Sequence, residues 1–137
     1  MNHKLLLTVA AAGTFAFAAI AAPELGDAAK LPAAAKKTGV TYDKDIKPLV
    51  EASCLKCHSG EKPKGKYSME NVAAVIKGGG EGAAVVPGDS AKSAIVHYAA
   101  DLVADMEMPP TDKREKYPAW TKDQIGLVRA WIDQGAK

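Results

Sequence analysis

The feature that most constrains this chain is the pentapeptide at residues 54–58, Cys-Leu-Lys-Cys-His. Because a helix turns about 100° per residue, Cys57 lies about 60° from Cys54 and His58 lies about 40° to the other side. The two thiols and the imidazole therefore project from one side of a helix end. There, the thiols can bond the two vinyl groups of one porphyrin edge while the imidazole lies below the iron. Cys-x-x-Cys-His is the attachment sequence of c-type haem, so we interpret Cys54 and Cys57 as the residues that bind it covalently.

Three other uses of the cysteine pair fit the sequence less well. A disulfide between Cys54 and Cys57 would close only a very small loop. A thioredoxin-like pair follows a strand and begins a helix, whereas this pair follows a predicted helix and precedes a histidine. A zinc site needs about four ligands, and beyond residues 54–58 the mature chain offers only His97 as a further Cys or His.

The N-terminus has the pattern of a secretory signal peptide. Lys4 precedes an uncharged run over residues 5–20, and Ala19-Ile20-Ala21 places small residues where a signal peptidase reads. The run is shorter than the ~20 residues of a membrane span, which disfavours an uncleaved anchor. We predict a signal peptide over residues 1–21, no stable membrane anchor after its removal, and a soluble protein in the periplasm or another exported location.

Composition limits the remaining function classes. The net charge of +2 is too small for the basic face that nucleic-acid binding requires. Aromatic residues make up 6% of the chain, and both phenylalanines lie within the predicted signal peptide. A buried porphyrin would supply the large apolar surface that the mature chain lacks.

The mature chain divides into a lead and one domain. Residues 22–39 are rich in Ala, Lys, Pro and Gly and are predicted to be a flexible lead, and residues 40–137 form the domain. Apolar residues at helical spacing predict about four helices and no strand, so the fold class is all-α. The predicted helices begin near Asp45, Met69, Ser90 and Thr121. Pro48 fits only in the first turn of the first helix, and the three glycines at 78–80 end the second. Ser90 is the predicted N-cap of the third. The segment 121–124 forms a capping box that opens the fourth, which Gly135 ends.

The sixth ligand of the iron decides the function. Met108 is the first choice, because Pro109 and Pro110 forbid helix and hold the chain extended. Met106 lacks that constraint. Met69 falls in the period of the second helix and is predicted to pack in the core. His97 falls, together with Asp101, on the polar side of the third helix and is predicted to lie at the surface.

His/Met ligation leaves the iron no open site, so the protein is predicted to carry electrons and not to be an enzyme. Two alternatives stay open. One is a haem enzyme or gas sensor with an open or displaceable sixth position. The other is an electron-transfer subunit of a larger oxidoreductase.

The sequence resembles class I c-type cytochromes, and more narrowly the planctomycete-type cytochrome c domain. Five segments over residues 41–137 carry the resemblance: the motif at 54–58, Gly78-Gly79 with Val86-Pro87-Gly88, Ser93, Met108-Pro109-Pro110, and the closing segment 130–136. The resemblance implies a small monohaem fold whose first and last helices cross near the haem edge. It also implies His58 as the proximal iron ligand and Met108 as the distal one.

Charge and polar groups suggest further roles. Residues 54–68 carry a net charge of +3 and residues 101–115 carry −3. Such runs are usually solvated faces, but here they could orient docking to redox partner proteins. His58 should donate its second ring nitrogen to a backbone carbonyl. Trp131 is predicted to pack where the first and last helices cross. Trp120, Tyr67 and Tyr117 could reach haem propionates through their N–H or O–H groups, or could simply be buried.

Overall fold

The computed structural model describes residues 22–137, which fold into short helices joined by long loops. The α-helices are α1 (Lys47–Ser53), α2 (Val72–Lys77), α3 (Ala94–Ala99) and α4 (Lys122–Asp133). Shorter turns of helix cover Ala28–Lys30, Tyr42–Ile46, Lys64–Lys66, Ser90–Lys92 and Thr111–Lys113. No strand occurs within residues 22–137. The all-α prediction is confirmed, and the predicted signal peptide lies outside the described residues.

Helix α1 continues directly from the wide helical turn Tyr42–Ile46. Pro48 sits in the first turn of α1, where its missing N–H would have no intrahelical partner. Ile46 and Val50 are buried on one face. The helix ends at Cys54, whose backbone N–H still donates to the Val50 carbonyl at 2.9 Å. The cysteine motif therefore begins where α1 stops.

Helix α4 begins and ends as its sequence predicts. The Thr121 hydroxyl accepts from the backbone N–H of Gln124, and the Gln124 side chain accepts from the Thr121 backbone, which completes a capping box. Trp131 is fully buried against Tyr42, with ring centroids 5.7 Å apart. The Lys137 carbonyl accepts from both the Trp131 indole at 2.9 Å and the Tyr42 backbone at 3.2 Å. The first and last helical segments thus pack together. A crossing near the haem edge, which the resemblance implies, stays a prediction.

Helices α2 and α3 begin later than predicted. Met69 was expected inside α2, but Asn71 caps that helix with its side chain and Met69 lies before it, buried at 3% exposure. Ser90 was expected to cap α3. Its backbone N–H and hydroxyl instead donate to the Asp133 carboxylate at 2.8 and 3.1 Å. This long-range bond ties Ser90 to α4, and α3 begins only at Ala94.

The second half of the segment 22–39, which composition predicts to be flexible, lies against α4. Leu31 is buried in the core. The Arg129 guanidinium donates to the Pro32 carbonyl, and the Gln134 side-chain amide donates to the Lys37 carbonyl at 2.9 Å. The structure thus shows ordered contacts along this segment. The division into a lead and a domain at residue 40 stays a prediction.

A glycine in α4 makes this contact possible. The backbone N–H of Ala35 donates to the Gly126 carbonyl at 2.9 Å. A Cβ on Gly126 would lie only 2.6 Å from the Ala33 carbonyl oxygen, so any side chain would push the segment away. Glycine at position 126 lowers the stability of an isolated helix relative to alanine. Here it lets the backbones of α4 and the N-terminal segment approach closely.

We expect Gly126→Ala to destabilise the full chain by about 1–3 kcal/mol, because the added methyl group overpacks the contact with Ala33. In a variant lacking residues 24–37, the same substitution should stabilise the protein by up to about 1 kcal/mol through helix propensity. Urea unfolding of the two proteins in each background measures whether the change in the free energy of unfolding reverses its sign. A destabilisation of equal size in both backgrounds would contradict the packing of the segment on α4.

Candidate cofactor site

A cleft opens between the end of α1 and the loop that follows α3. It contains about 970 Å³ of space not filled by protein atoms, counting the part at its open mouth. Its walls come from Cys54, Cys57 and His58, from residues 79–84, from α3, and from the loop at 106–110. Tyr67 and Trp120 complete the lining. Most of this surface is apolar side chain or glycine backbone.

The cysteine motif forms a tight turn at the edge of the cleft. The backbone N–H groups of Cys57 and His58 both donate to the Cys54 carbonyl at 3.1 Å, so the chain keeps turning after α1 ends. Both thiols are free and partly buried. Burial raises the pKa of the Cys54 thiol to about 12, so this thiol is protonated at neutral pH. The turn brings all three functional side chains of the motif to one cleft.

His58 is held through one ring nitrogen. Its Nδ1 lies 3.1 Å from the carbonyl oxygens of both Lys64 and Tyr67, so a proton on Nδ1 is shared between two acceptors. The predicted bond to a backbone carbonyl is therefore confirmed. This bond fixes the tautomer and leaves Nε2 available to a metal. Burial lowers the pKa of His58, which favours the neutral imidazole that can ligate iron.

The methionine loop reaches the same cleft from the other end of the sequence. The backbone N–H of Met108 donates to the Tyr98 carbonyl at 3.0 Å, which ties the loop to the last turn of α3. Met108 lines the cleft together with Pro109, which is buried, and Pro110. Met106 and Met69 also line it. The structure thus places the four predicted site residues, at 54, 57, 58 and 108, around one cavity.

These residues fit a covalent haem. A porphyrin is flat and apolar, and the cleft offers apolar walls, two thiols, an imidazole with a free nitrogen, and a thioether. A zinc site fits less well, because within residues 22–137 no three His, Cys, Asp or Glu side chains are grouped so that they could hold a metal ion. His97, the remaining ligand that the sequence offered, does not line the cleft.

Comparison with known proteins agrees with this geometry. Residues 54–112 match the family model described as Planctomycete cytochrome C. Over residues 54–112, the chain therefore carries a planctomycete cytochrome c domain. The matched stretch contains both the attachment motif and Met108-Pro109-Pro110. No curated protein and no solved structure matches the chain.

The family confirms the cofactor prediction. A cytochrome c domain carries covalent haem c with its iron, and Cys54 and Cys57 fit the attachment motif. The match also indicates haem-based electron transfer. Between residues 22 and 137, no helix combines the length and apolar character that crossing a membrane requires.

The surface position predicted for His97 in this cytochrome domain is wrong. His97 is 0% exposed, and its Nε2 lies 2.8 Å from the Ala91 carbonyl. Helical periodicity predicted a polar, solvated side for α3. However, α3 has only six residues, and it lies between the cleft on one side and the turn Ser90–Lys92 and α4 on the other. Asp101, taken as the polar neighbour of His97, lies beyond the end of the helix.

The polar groups of Trp120 and Tyr67 donate hydrogen bonds to backbone carbonyls. The Trp120 indole donates to the Leu49 carbonyl at 3.2 Å, and the Tyr67 hydroxyl donates to the Val75 carbonyl at 2.8 Å. Both side chains therefore act as cleft walls whose polar groups already have partners. Tyr117 also lines the cleft, and Trp131 is the core anchor described above. A role toward haem propionates stays a prediction.

One wall of the haem cleft was missed at the sequence level. Three consecutive glycines were interpreted as the end of α2 and, for the first two, as part of the family pattern, but not as a wall of the cleft. In the structure, a Cβ on Gly79 would lie 2.5 Å from the Gly65 carbonyl oxygen and 2.6 Å from Cβ of Tyr67. The Gly80 N–H also donates to the Gly65 carbonyl at 2.7 Å. Glycine is required here because two loops meet backbone to backbone beside the cofactor.

Proposed function

We propose that this protein is a periplasmic, or otherwise exported, electron carrier whose haem iron is ligated by His58 and Met108. The observation that carries the proposal is that both side chains line the same cleft as the two cysteines. Residues 54–58 and the Met-Pro-Pro segment come from separate loops, and each is tied to other parts of the chain by backbone hydrogen bonds. The export pattern of residues 1–21 supports the location.

The two proposed ligands are held in different ways. His58 is oriented by the carbonyls of Lys64 and Tyr67, so its Nε2 needs no rearrangement to bind a metal. Met108 is a flexible side chain, but its backbone is fixed by the Tyr98 carbonyl and by the two prolines that follow. Such preorganisation favours the same ligand set in both oxidation states.

The bound cofactor supplies a one-electron Fe(III)/Fe(II) couple. The chain itself controls what else can reach that centre. A thioether ligand raises the reduction potential relative to stronger donors. Met108 would hold the iron on the side away from His58, and its side chain would then exclude water, oxygen and peroxide from the metal. The arrangement supports electron transfer without bond-making chemistry.

Lysines near the attachment motif support a docking role. Lys56, Lys62, Lys64 and Lys66 are all exposed, and within residues 22–137 none of them forms an ion pair. Gly65, between two of these lysines, lines the cleft. On the acidic run, by contrast, Asp101 and Asp112 are paired with Arg114 and Lys113. We propose that this lysine cluster (Lys56, Lys62, Lys64 and Lys66) meets an acidic face of redox partners.

Replacing the distal ligand tests the proposed coordination. We expect the oxidised wild-type protein to show the weak methionine–iron charge-transfer band, and the reduced protein not to bind carbon monoxide. Met108→Ala should lose the band, bind carbon monoxide stoichiometrically and have a lower reduction potential. Met106→Ala is the matched control, because Met106 lines the same cleft, and it should behave as wild type. Ready binding of carbon monoxide by the wild-type protein would favour a haem enzyme or gas sensor instead.

Charge reversal tests the docking surface. We expect Lys62→Glu/Lys66→Glu to slow oxidation of the reduced protein by anionic ferricyanide by about threefold to tenfold at low salt. Added salt should remove most of this difference, because exposed charges are screened. Lys36→Glu/Lys122→Glu has the same net charge and should change the rate much less. Stopped-flow rates that are equal in both variants, or flat with ionic strength, would rule out the lysine cluster as the docking face.

A further inference from the structure

The loop between α3 and Arg114 contains Met108 and is closed by one side chain. The Arg114 guanidinium donates through both terminal nitrogens to the Asp101 carboxylate, at 2.8 and 2.6 Å. Its Nε–H donates to the carbonyl of Pro109 at 2.9 Å. One planar group thus connects the residue after Met108 to the segment that follows α3.

Asp101 is well placed for this role. It follows α3 in a left-handed conformation (φ +57°), and its backbone N–H donates to the Tyr98 carbonyl at 3.3 Å. The same Tyr98 carbonyl accepts from the Met108 N–H at 3.0 Å. The end of α3 therefore holds the methionine loop at two points, through a backbone bond before the Met108 side chain and through Arg114 after it.

From this geometry we propose that Arg114 is a positioning residue, which keeps Met108 at the haem iron by clamping the Pro109 carbonyl to Asp101. The inference rests on the proposed function, because it takes Met108 as the distal ligand. Arg114 does not line the cleft and acts only through the loop. The neighbouring Lys113 forms no ion pair with Asp101 and pairs with Asp112 at 2.9 Å.

The planar fork of arginine is essential to this clamp. The guanidinium donates two hydrogen bonds to Asp101 and one to the Pro109 carbonyl, at angles fixed by its planar shape. The single ammonium group of lysine cannot donate all three in this arrangement. The Arg114 side chain is 25% exposed and that of Asp101 is 42% exposed, so water screens the charge attraction. The clamp therefore works mainly through geometry, by limiting how far residues 108 and 109 can move from α3.

This role has a measurable consequence. An external ligand binds the iron only when Met108 has moved away, so its apparent affinity is proportional to the fraction of molecules with an open loop. Loss of the clamp raises that fraction. A residue that only stabilises the fold changes the unfolding midpoint and leaves this affinity unchanged.

The test is a titration of the oxidised holoprotein with imidazole, followed by absorption spectroscopy. We expect Arg114→Gln and Asp101→Asn each to raise the apparent affinity for imidazole about tenfold, and the double variant to add little to either change. Arg114→Lys should lie closer to Arg114→Gln than to wild type. Arg129→Gln is the matched control. Arg129 bonds the Ser90 hydroxyl at 3.0 Å and the Pro32 carbonyl, and it does not line the cleft.

The outcomes separate this inference from the proposed function. Raised imidazole affinity in the Arg114 and Asp101 variants, with Arg129→Gln unchanged, supports the clamp. Unchanged affinity in both clamp variants, or an equal rise in Arg129→Gln, overturns it, even if wild type shows the methionine–iron band. If wild type lacks that band, His/Met ligation is wrong and the clamp is overturned with it. Asp101→Asn keeps the test decisive if Arg114→Gln does not fold.

Discussion

The packing of the chain around one flat covalent cofactor is the interaction on which the rest of the structure depends. Helix α3 has six residues, and a helix that short is not stable by itself. Residues of α3 and the glycine loop line the cleft, so the haem supplies the surface against which they pack. Because the two thioether bonds begin where α1 ends, they join the helical core at residues 42–53 to the cleft walls.

The two sides of the cleft are built differently, in line with the chemistry proposed for each. His58 lies in a short turn whose carbonyls orient the imidazole, so its position depends on nearby residues. Met108 lies in a longer loop whose position depends on the end of α3 and on Arg114. A rigid proximal side and a clamped distal side together keep the proposed coordination constant while the iron changes its charge. The lysine cluster lies beside the attachment motif, where an electron would leave or enter.

Local patterns in the sequence predicted much of this architecture. The capping box of α4, Pro48 in the first turn of α1, and the cysteine motif each depend on residues close together in the chain, and each is confirmed. The misses come from contacts between distant residues. Ser90 is bound by Asp133 and therefore does not cap α3. Because α3 is covered on both sides, the helical period placed His97 wrongly at the surface. No local signal marks the Arg114–Asp101 pair or the seating of residues 31–37 on α4.

The most direct measurement is the absorption spectrum of the protein produced in a host that matures c-type cytochromes, recorded oxidised, reduced and in alkaline pyridine after extraction with acidified acetone. The account predicts a red protein whose haem stays with the polypeptide, with a pyridine spectrum of a porphyrin that has lost both vinyl groups. A colourless protein with two titratable thiols, or a haem that the solvent extracts, would contradict it.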